Sequence, residues 1–550
     1  MFERHMLYAV ATCSGKFFKA VFCRAGRLNG RDIHMKKYFI QLISILIVPV
    51  LLAGCSIKDK TLSEGSEHGA EMSNTENIFG YKLFLEAEDA AVTTGNVRVE
   101  NKHPGFSGSG YLTGIEEDGD TITFTVSIPE SGFYNLNFVC SSYGGYKENY
   151  IYINEEQAGV IKTDGDDFHD SMLKRVYLSE ETQEIKITKS WGWIRVDALE
   201  ITASSPADES IYEVSAELAD PKATESTRRL MQYLADMYGK YIISGQYSDK
   251  GINGPEFKAI YDATGKYPAM LGLDFIEYTP SRAAHGSVGK SVVYAVEFAK
   301  TGGIVTFCWH WNAPEPYLYN TPEIPWWKGF YTEATNIDLE AIMNGQDIEG
   351  YDLLIRDIDA VANQLKRLQE ADVPVLWRPL HEAGGGWFWW GASGPEPYIK
   401  LYRLLFDRLT KTHNIHNLIW VWNGQDPKWY PGDEYVDIIG IDIYPGERVY
   451  SSQAAKFNEI LEWTDKNKII ALTENGCLFD PDLVFRDNVI WSYFGTWSGE
   501  FVVLNKTYTL SEKYNEKHMV NKVYNHDKVI TLDELPDLKT YGQQIEEDLY

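Results

Sequence analysis

Two patterns of apolar spacing divide the chain. Between residues 81 and 203, apolar and polar residues alternate with period two in short runs separated by Gly and Asn clusters. Examples are 121–126 (TITFTV), 134–139 (YNLNFV) and 184–188 (EIKIT). Alternation of this kind is the signature of strands with one buried face, so residues 81–203 are expected to form an all-β sandwich of the jelly-roll type. Ser204-Ser205-Pro206-Ala207-Asp208 then interrupts the pattern and marks a linker over 204–219. From 220 to 550, short apolar runs alternate with longer stretches of helical period. The strand candidates are 241–244, 269–273, 303–307, 375–377, 418–422, 438–443, 469–472 and 491–496. Between them lie amphipathic stretches such as 353–371, with Leu354, Ile358, Val361, Leu365 and Leu368 on one face. Eight strand–helix repeats predict a (β/α)8 TIM barrel, a fold in which chemistry gathers at the C-terminal ends of the strands.

A third apolar run fits neither pattern. MKKYFIQLISILIVPVLLAGC, from Met35, sets two lysines ahead of an apolar stretch and small residues, as export signals do. The run is shorter than the ~20 residues of a membrane span. Its ending, Leu52-Ala53-Gly54-Cys55, resembles a bacterial lipobox. Residues 1–55 are therefore read as an extension plus lipoprotein signal, with translation starting at Met35 and a lipid carried on Cys55. The expected location is the outside of a bacterial cell, with a lipid anchor as the sole membrane contact. Residues 56–80 are rich in Ser, Glu and Gly and read as a flexible tether. Cys140, Cys308 and Cys477 have no metal-type or disulfide spacing and sit among apolar neighbours, which suits buried thiols.

Charge narrows the partner. A net charge of -28 repels phosphate backbones and argues against nucleic acid; a neutral polymer fits best. Aromatic residues make up 14% of the chain, 16 of them Trp, and the question is whether they cluster near candidate catalytic groups. They do. After strand candidate 375–377 comes Arg378-Pro379-Leu380-His381-Glu382, followed by a loop dense in Gly and Trp. After 469–472 comes Thr473-Glu474-Asn475-Gly476. Two glutamates at the ends of the fourth and seventh strands point into one mouth. Glycoside hydrolysis needs such a pair, one carboxyl to protonate the leaving oxygen and one to attack the anomeric carbon. Glu382 is assigned as acid/base, kept protonated by apolar neighbours, and Glu474 as nucleophile, kept ionised by Arg378. Tyr444, after the sixth strand, is placed to hydrogen-bond Glu474. Trp387, Trp389 and Trp390 supply stacking faces for sugar rings. There is no GxSxG nucleophile elbow and no metal-type His cluster, so an esterase or metallohydrolase is disfavoured, and catalysis is expected to need no cofactor.

The segment WRPLHEAGGGWFWWG resembles the acid/base segment of glycoside hydrolase family 26, a retaining (β/α)8 family with His before the acid/base Glu; His381 matches. ALTENG resembles the nucleophile segment. The resemblance extends over FCWHWNAP, IDIYP, YFGTWSGEF and the C-terminal NHDKVITLDELPDL, from about residue 220 to 538. It implies that His310 contacts sugar in the subsite before the cleavage point, that Tyr444 touches the nucleophile and that Trp497 is a sugar platform. The family is mainly endo-β-1,4-mannanase, so β-mannan is the expected polysaccharide, whether mannan, galactomannan or glucomannan. Some members cut β-1,3-xylan or mixed-linkage β-glucan, but the Trp-rich loop and HWNAP look like the mannanase form.

The N-terminal region, with FLEAED at its opening, GFSGSGY inside it and WGWIRVD near its close, resembles carbohydrate-binding module family 35. The resemblance implies a structural Ca²⁺ held by Glu86, Glu88 and Asp197, oxygen ligands of the kind calcium takes. Trp191 and Trp193 are its candidate sugar platforms, set side by side on a strand-like segment. Such a module raises local substrate concentration. The rival readings are a polysaccharide-binding lipoprotein without catalysis, which the intact Glu382 and Glu474 oppose, and a structural surface lipoprotein, which has no use for Trp-rich strand ends. A monomer is expected.

Overall fold

The structure is a computed structural model that describes residues 80–504 and 507–542. The signal, the tether up to residue 79 and Cys55 lie outside the described residues.

Eleven strands build the first domain: β1 (Lys82–Glu86), β2 (Ala91–Thr94), β3 (Arg98–Glu100), β4 (Tyr111–Thr113), β5 (Thr121–Ser127), β6 (Gly132–Ser142), β7 (Tyr146–Ile153), β8 (Glu156–Asp164), β9 (His169–Leu178), β10 (Thr182–Lys189) and β11 (Ile194–Ser204). They form two antiparallel sheets. One runs β3-β4-β11-β6-β9 with β1 added on β11, and the other runs β2-β5-β10-β7-β8. The period-two runs do what their pattern predicts. Ile122, Phe124 and Val126 of β5, Leu136 and Phe138 of β6, and Ile185 and Ile187 of β10 turn inward to one apolar core. Trp191 and Trp193 are not on a strand. They occupy the loop between β10 and β11, half exposed, with Trp193 in the left-handed region at φ 56°. The loop is held because the Asn149 side-chain oxygen accepts from the Ser190 and Gly192 N–H groups at 3.1 and 2.9 Å.

The second domain is a closed parallel barrel of β13 (Gly245–Tyr247), β14 (Met270–Asp274), β15 (Ile304–Cys308), β16 (Val375–Arg378), β17 (Leu418–Trp422), β18 (Ile438–Ile443), β19 (Ile469–Asn475) and β20 (Phe494–Thr496). One expected strand is displaced. The apolar run 241–244 does not enter the barrel; its Ile242-Ile243 forms β12, which pairs in parallel with β21 (Val529–Ile530). The first barrel strand is the polar-looking Gly245-Gln246-Tyr247. Glycine is required there, because a Cβ on Gly245 would lie 2.3 Å from the Phe494 carbonyl oxygen. Gln246 donates to the Thr496 carbonyl at 3.0 Å and so helps close the barrel between its first and last strands. The predicted amphipathic stretch is the helix Ile348–Glu370, which starts earlier than its apolar period because Asp347 caps the Gly350 N–H.

The two domains touch. Ala455, on the short helix Ala454–Ile460, packs against the sandwich core, and a Cβ on Gly159 of β8 would stand 2.9 Å from it. Around this contact Lys162 pairs with Glu459 at 2.7 Å, Lys174 pairs with Glu462, and the Arg486 guanidinium lies 4.9 Å from the Tyr177 ring centre.

Candidate active site

Each barrel strand delivers its last side chains to one mouth. β16 ends in Arg378, and the chain then passes Leu380 and Glu382, both left-handed at φ 52° and 54°. Non-glycine residues in that region cost of order 1–3 kcal/mol each and persist only where surroundings fix them. Here the Glu382 N–H donates to the Asn423 carbonyl at 2.7 Å, and the Trp390 indole N–H holds the His381 carbonyl at 2.8 Å. The strain aims Glu382 back over the strand end.

Glu474 lies on β19, buried, opposite Asp442 of β18 after a register shift. Arg378, fully buried, bridges them. One guanidinium nitrogen donates to Asp442 at 2.7 Å, and the other contacts Glu474 and donates to the Tyr247 hydroxyl at 3.3 Å. The Tyr444 hydroxyl donates to the second Glu474 oxygen at 2.6 Å. Asp442 accepts further from Thr473 at 2.6 Å. Burial pushes the Asp442 carboxyl up and the Glu474 charge pushes it further, while Arg378 pulls it back.

One carboxylate oxygen from each of Glu382, Asp442 and Glu474 lies within 4.8 Å of the others. That is too close for a water to attack between Glu382 and Glu474, which requires carboxyls ~6.5–9.5 Å apart. Burial raises the Glu382 carboxyl well above the ordinary carboxylate range, and the charges of Asp442 and Glu474 add to this; Arg378 and the Trp387 N–H work against it. Glu382 therefore favours its protonated form, while Glu474 accepts from two donors, Arg378 and Tyr444.

His310 and Trp497 complete one wall. His310 follows β15, and Asp274, the last residue of β14, accepts from its Nδ1 at 2.6 Å and from its backbone N–H at 3.1 Å. Its Nε2 faces the His381 Nε2 at 3.3 Å. Burial, with Arg378 and His310 nearby, lowers the His381 pKa well below its usual value, so that ring is neutral. Trp497 stays partly open, backed by the Tyr247 ring at 4.7 Å. Trp387 is half exposed and its indole N–H donates to Glu382 at 2.9 Å.

The structure thus brings together His310, Arg378, His381, Glu382, Trp387, Tyr444, Glu474 and Trp497. The expected sugar contact at Trp390 is corrected. Trp390 and Trp389 are fully buried, with Trp390 stacked on Phe388 at 4.6 Å and Trp389 donating to the Trp311 carbonyl at 2.6 Å. They are struts behind the wall: Phe388, Trp389 and Trp390 are consecutive and all buried, and the tight 3-10 turn Trp389–Gly391 packs both indoles inward. Four residues were missed: Tyr247, Asp274, Asn423 and Asp442. Asp274 and Asp442 had a readable signal, being carboxylates at or beside the ends of strand candidates, as Glu382 and Glu474 are.

In the sandwich, Glu86, Glu88 and Asp197 surround the loop at Ser107. The Ser107 N–H and hydroxyl donate to Asp197, its hydroxyl lies 2.7 Å from Glu86, and the Ser109 N–H donates to Glu88 at 2.6 Å. The other Glu88 oxygen is buried without a partner, as a carboxylate awaiting a cation would be.

Comparison with known proteins agrees with this architecture. Residues 219–534 match the profile of Glycosyl hydrolase family 26, and residues 83–204 that of Carbohydrate binding module (family 35). A mannan endo-1,4-beta-mannosidase of Thermothelomyces thermophilus is 41% identical over 452 residues, 82% of this chain and 90% of that protein. One from Bacillus subtilis is 28% identical over 56% of this chain and 90% of its own length. Among solved structures, a GH26-CBM35 beta-(1,4)-mannanase of Podospora anserina superposes with a TM-score of 0.58 at 38% identity, covering 83% of this chain and 99% of that one. A ruminal GH26 endo-beta-1,4-mannanase gives the same TM-score at 29% identity, over 83% and 98%.

Proposed function

The chain belongs to glycosyl hydrolase family 26, and we propose that it is an endo-β-1,4-mannanase that cleaves with retention, Glu382 acting as acid/base and Glu474 as nucleophile. The observation that carries this is the pair of carboxyls facing each other at the ends of β16 and β19, one buried so that it favours its proton and the other gripped by the Arg378 and Tyr444 donors.

In the first step Glu382 gives its proton to the glycosidic oxygen as the Glu474 oxygen bonds to the anomeric carbon, and the C–O bond to the leaving chain breaks. Glu382, now an anion, takes a proton from water as that water attacks the same carbon and releases Glu474. Two inversions restore the starting configuration. The Trp387 N–H steadies the Glu382 anion between steps. Trp387 and Trp497 offer ring faces to the sugars flanking the cleavage point, and His310 a hydrogen-bonding edge. The test is Glu474→Ala with an activity panel of galactomannan, glucomannan, β-1,3-xylan and lichenan. Loss of mannan hydrolysis in a folded protein supports the assignment; full activity overturns it. NMR of the first-formed anomer reads retention directly.

The same reading gives the sandwich a binding role. Trp191 and Trp193, half exposed on one loop, would meet polysaccharide. Glu86, Glu88 and Asp197 would hold a structural Ca²⁺, and the partnerless Glu88 oxygen fits that use. The lipobox-like ending at Cys55 supports a bacterial cell-surface lipoprotein. Cys55→Ser is expected to move the protein out of the membrane fraction, and an unchanged distribution would refute the anchor.

A further inference from the structure

The connection between β15 and the helix Leu339–Met343 is long for a barrel loop, and no motif accounts for its second half. Its residues 330–332 run as a short ladder beside the Trp loop that follows Glu382. Tyr331 and Phe388 form an antiparallel bridge. The Trp389 N–H donates to the Phe330 carbonyl at 3.2 Å, and the Thr332 N–H to the Trp387 carbonyl at 2.7 Å. The Thr332 hydroxyl donates to the Gly386 carbonyl at 2.8 Å. Two of these bonds come from one residue and grip the two peptide units on either side of the Trp387 Cα.

That grip matters because of what surrounds Trp387. On one side are three consecutive glycines, Gly384-Gly385-Gly386, with Gly386 left-handed at φ 69°. Glycines contribute no side chain to fix the backbone. The Trp387 ring covers Gly385 so closely that a Cβ there would lie 2.0 Å from it. The ring is half exposed, so packing alone does not pin it. Yet its indole N–H reaches the Glu382 carboxyl at 2.9 Å. A hydrogen bond of that length from a tryptophan in a glycine-rich loop needs an external anchor, and Thr332 is the residue that supplies one.

We infer that Thr332 is a positioning residue for proton transfer: by fixing the backbone around Trp387 it holds the indole N–H on Glu382, and with it the orientation of the acid/base carboxyl. This rests on Glu382 being the acid/base. The charged and titratable groups facing Glu382 are Arg378, Asp442 and Glu474 of the barrel strands, Tyr444 after β18, and Tyr331 of the same ladder as Thr332. Beside these groups the Trp387 indole N–H donates to Glu382 at 2.9 Å, and it is this donor that Thr332 governs.

The test compares Thr332→Val, which keeps the shape and the N–H but loses the hydroxyl, with Thr332→Ser, which keeps the donor. Each is assayed on mannan and on a dinitrophenyl β-mannooligosaccharide, whose leaving group needs no proton. Thr332→Val is expected to lower kcat/KM on mannan about three- to tenfold, the worth of one hydrogen bond. On the aryl substrate kcat/KM ends at the step that needs no proton from Glu382, so its change should stay within about twofold, with Thr332→Ser near wild type on both. The alkaline limb of the pH profile should move to higher pH, since a loosened Trp387 N–H stabilises the Glu382 anion less. Equal losses on both substrates, or no loss on mannan, would overturn the inference. Should Thr332→Val fail to fold, Trp387→Phe must show the same selective loss, and its absence overturns the inference equally. Glu382→Ala is the control. If it too loses the two substrates equally, the assignment of Glu382 has failed; if it loses mannan selectively while Thr332→Val does not, only the role of Thr332 has.

Discussion

Arg378 invites the most demanding test, because one buried guanidinium keeps two buried carboxylates apart in charge. In Arg378→Met the positive charge disappears while Asp442 and Glu474 remain, with oxygens within 4.8 Å of one another. What the substitution removes is the attraction of the guanidinium for Asp442, about 4 kcal/mol for unit charges ~4 Å apart at an effective dielectric constant of ~20. Losing it corresponds to at most about 3 pKa units. Asp442, already raised to about 7 with burial as the largest cause, should then hold its proton to higher pH than in the wild type. The assay is kcat/KM against pH with a dinitrophenyl β-mannooligosaccharide, which removes Glu382 protonation from the rate and leaves the acid limb to report on the free enzyme's carboxylate pair. The acid limb is expected to rise by about two units in Arg378→Met. In Arg378→Lys the shift should be smaller, because an ammonium keeps the charge but cannot bridge both carboxylates as the planar fork does. Removing one partner of a buried ion pair also costs about 3–5 kcal/mol of stability, so circular dichroism must confirm that the variants fold at the assay temperature. A folded Arg378→Lys or Arg378→Met enzyme with its acid limb unmoved would refute the account.

Other consequences are as direct. Asp357, buried on the helix Ile348–Glu370 and accepting from the Trp311 indole at 2.9 Å, has its pKa pushed up to about 6, mainly by burial. A raised carboxyl pKa means the folded state holds the proton more tightly, so its stabilising contribution is lost as pH rises through about 6. Asp357→Asn should therefore gain in Tm relative to wild type between pH 4 and pH 7, and a pH-independent difference would contradict this. Calcium chelation should lower the melting temperature of the sandwich, with little effect in Glu88→Gln; equal sensitivity of the two proteins would exclude Glu88 as a ligand. Replacing both Lys162 and Lys174 by Ala should split a single calorimetric transition into two by weakening the seat between the domains, whereas one sharp transition would show that the apolar contact at Ala455 suffices.

Architecture was legible in the sequence where burial leaves an apolar trace. One-sided burial gave the sandwich strands their alternation, and burial on both faces gave barrel strands such as β15, β17 and β19 their continuous apolar runs. The first barrel strand escaped, since Gly245 is there for lack of space and Gln246 for a hydrogen bond, and neither leaves an apolar trace. Glu382 and Glu474 were visible because each follows a strand and sits in an unusual neighbourhood. Asp442 was passed over two positions before Tyr444: its place at a strand end was readable, but its contact with Arg378 depends on the register of β18 against β19. The three tryptophans of the Gly-rich loop are alike in sequence. Which of them faces the cleft depends on the side packed against Trp311 and Phe388, a three-dimensional fact.

The seat between the sandwich and the barrel also shapes how the enzyme meets a solid. With Ala455 packed into the module and ion pairs around it, the two domains diffuse and tumble together, and the loop bearing Trp191 and Trp193 keeps a constant footprint relative to the cleft. A fibre surface whose exposed chains match that footprint can be engaged at both places at once. One with a different spacing is held at one place or the other. If Trp191 and Trp193 bind polysaccharide as proposed, the protein would select among substrate surfaces by their geometry as well as by their sugars, and a given mannan should be attacked at different rates in crystalline, swollen and dissolved form.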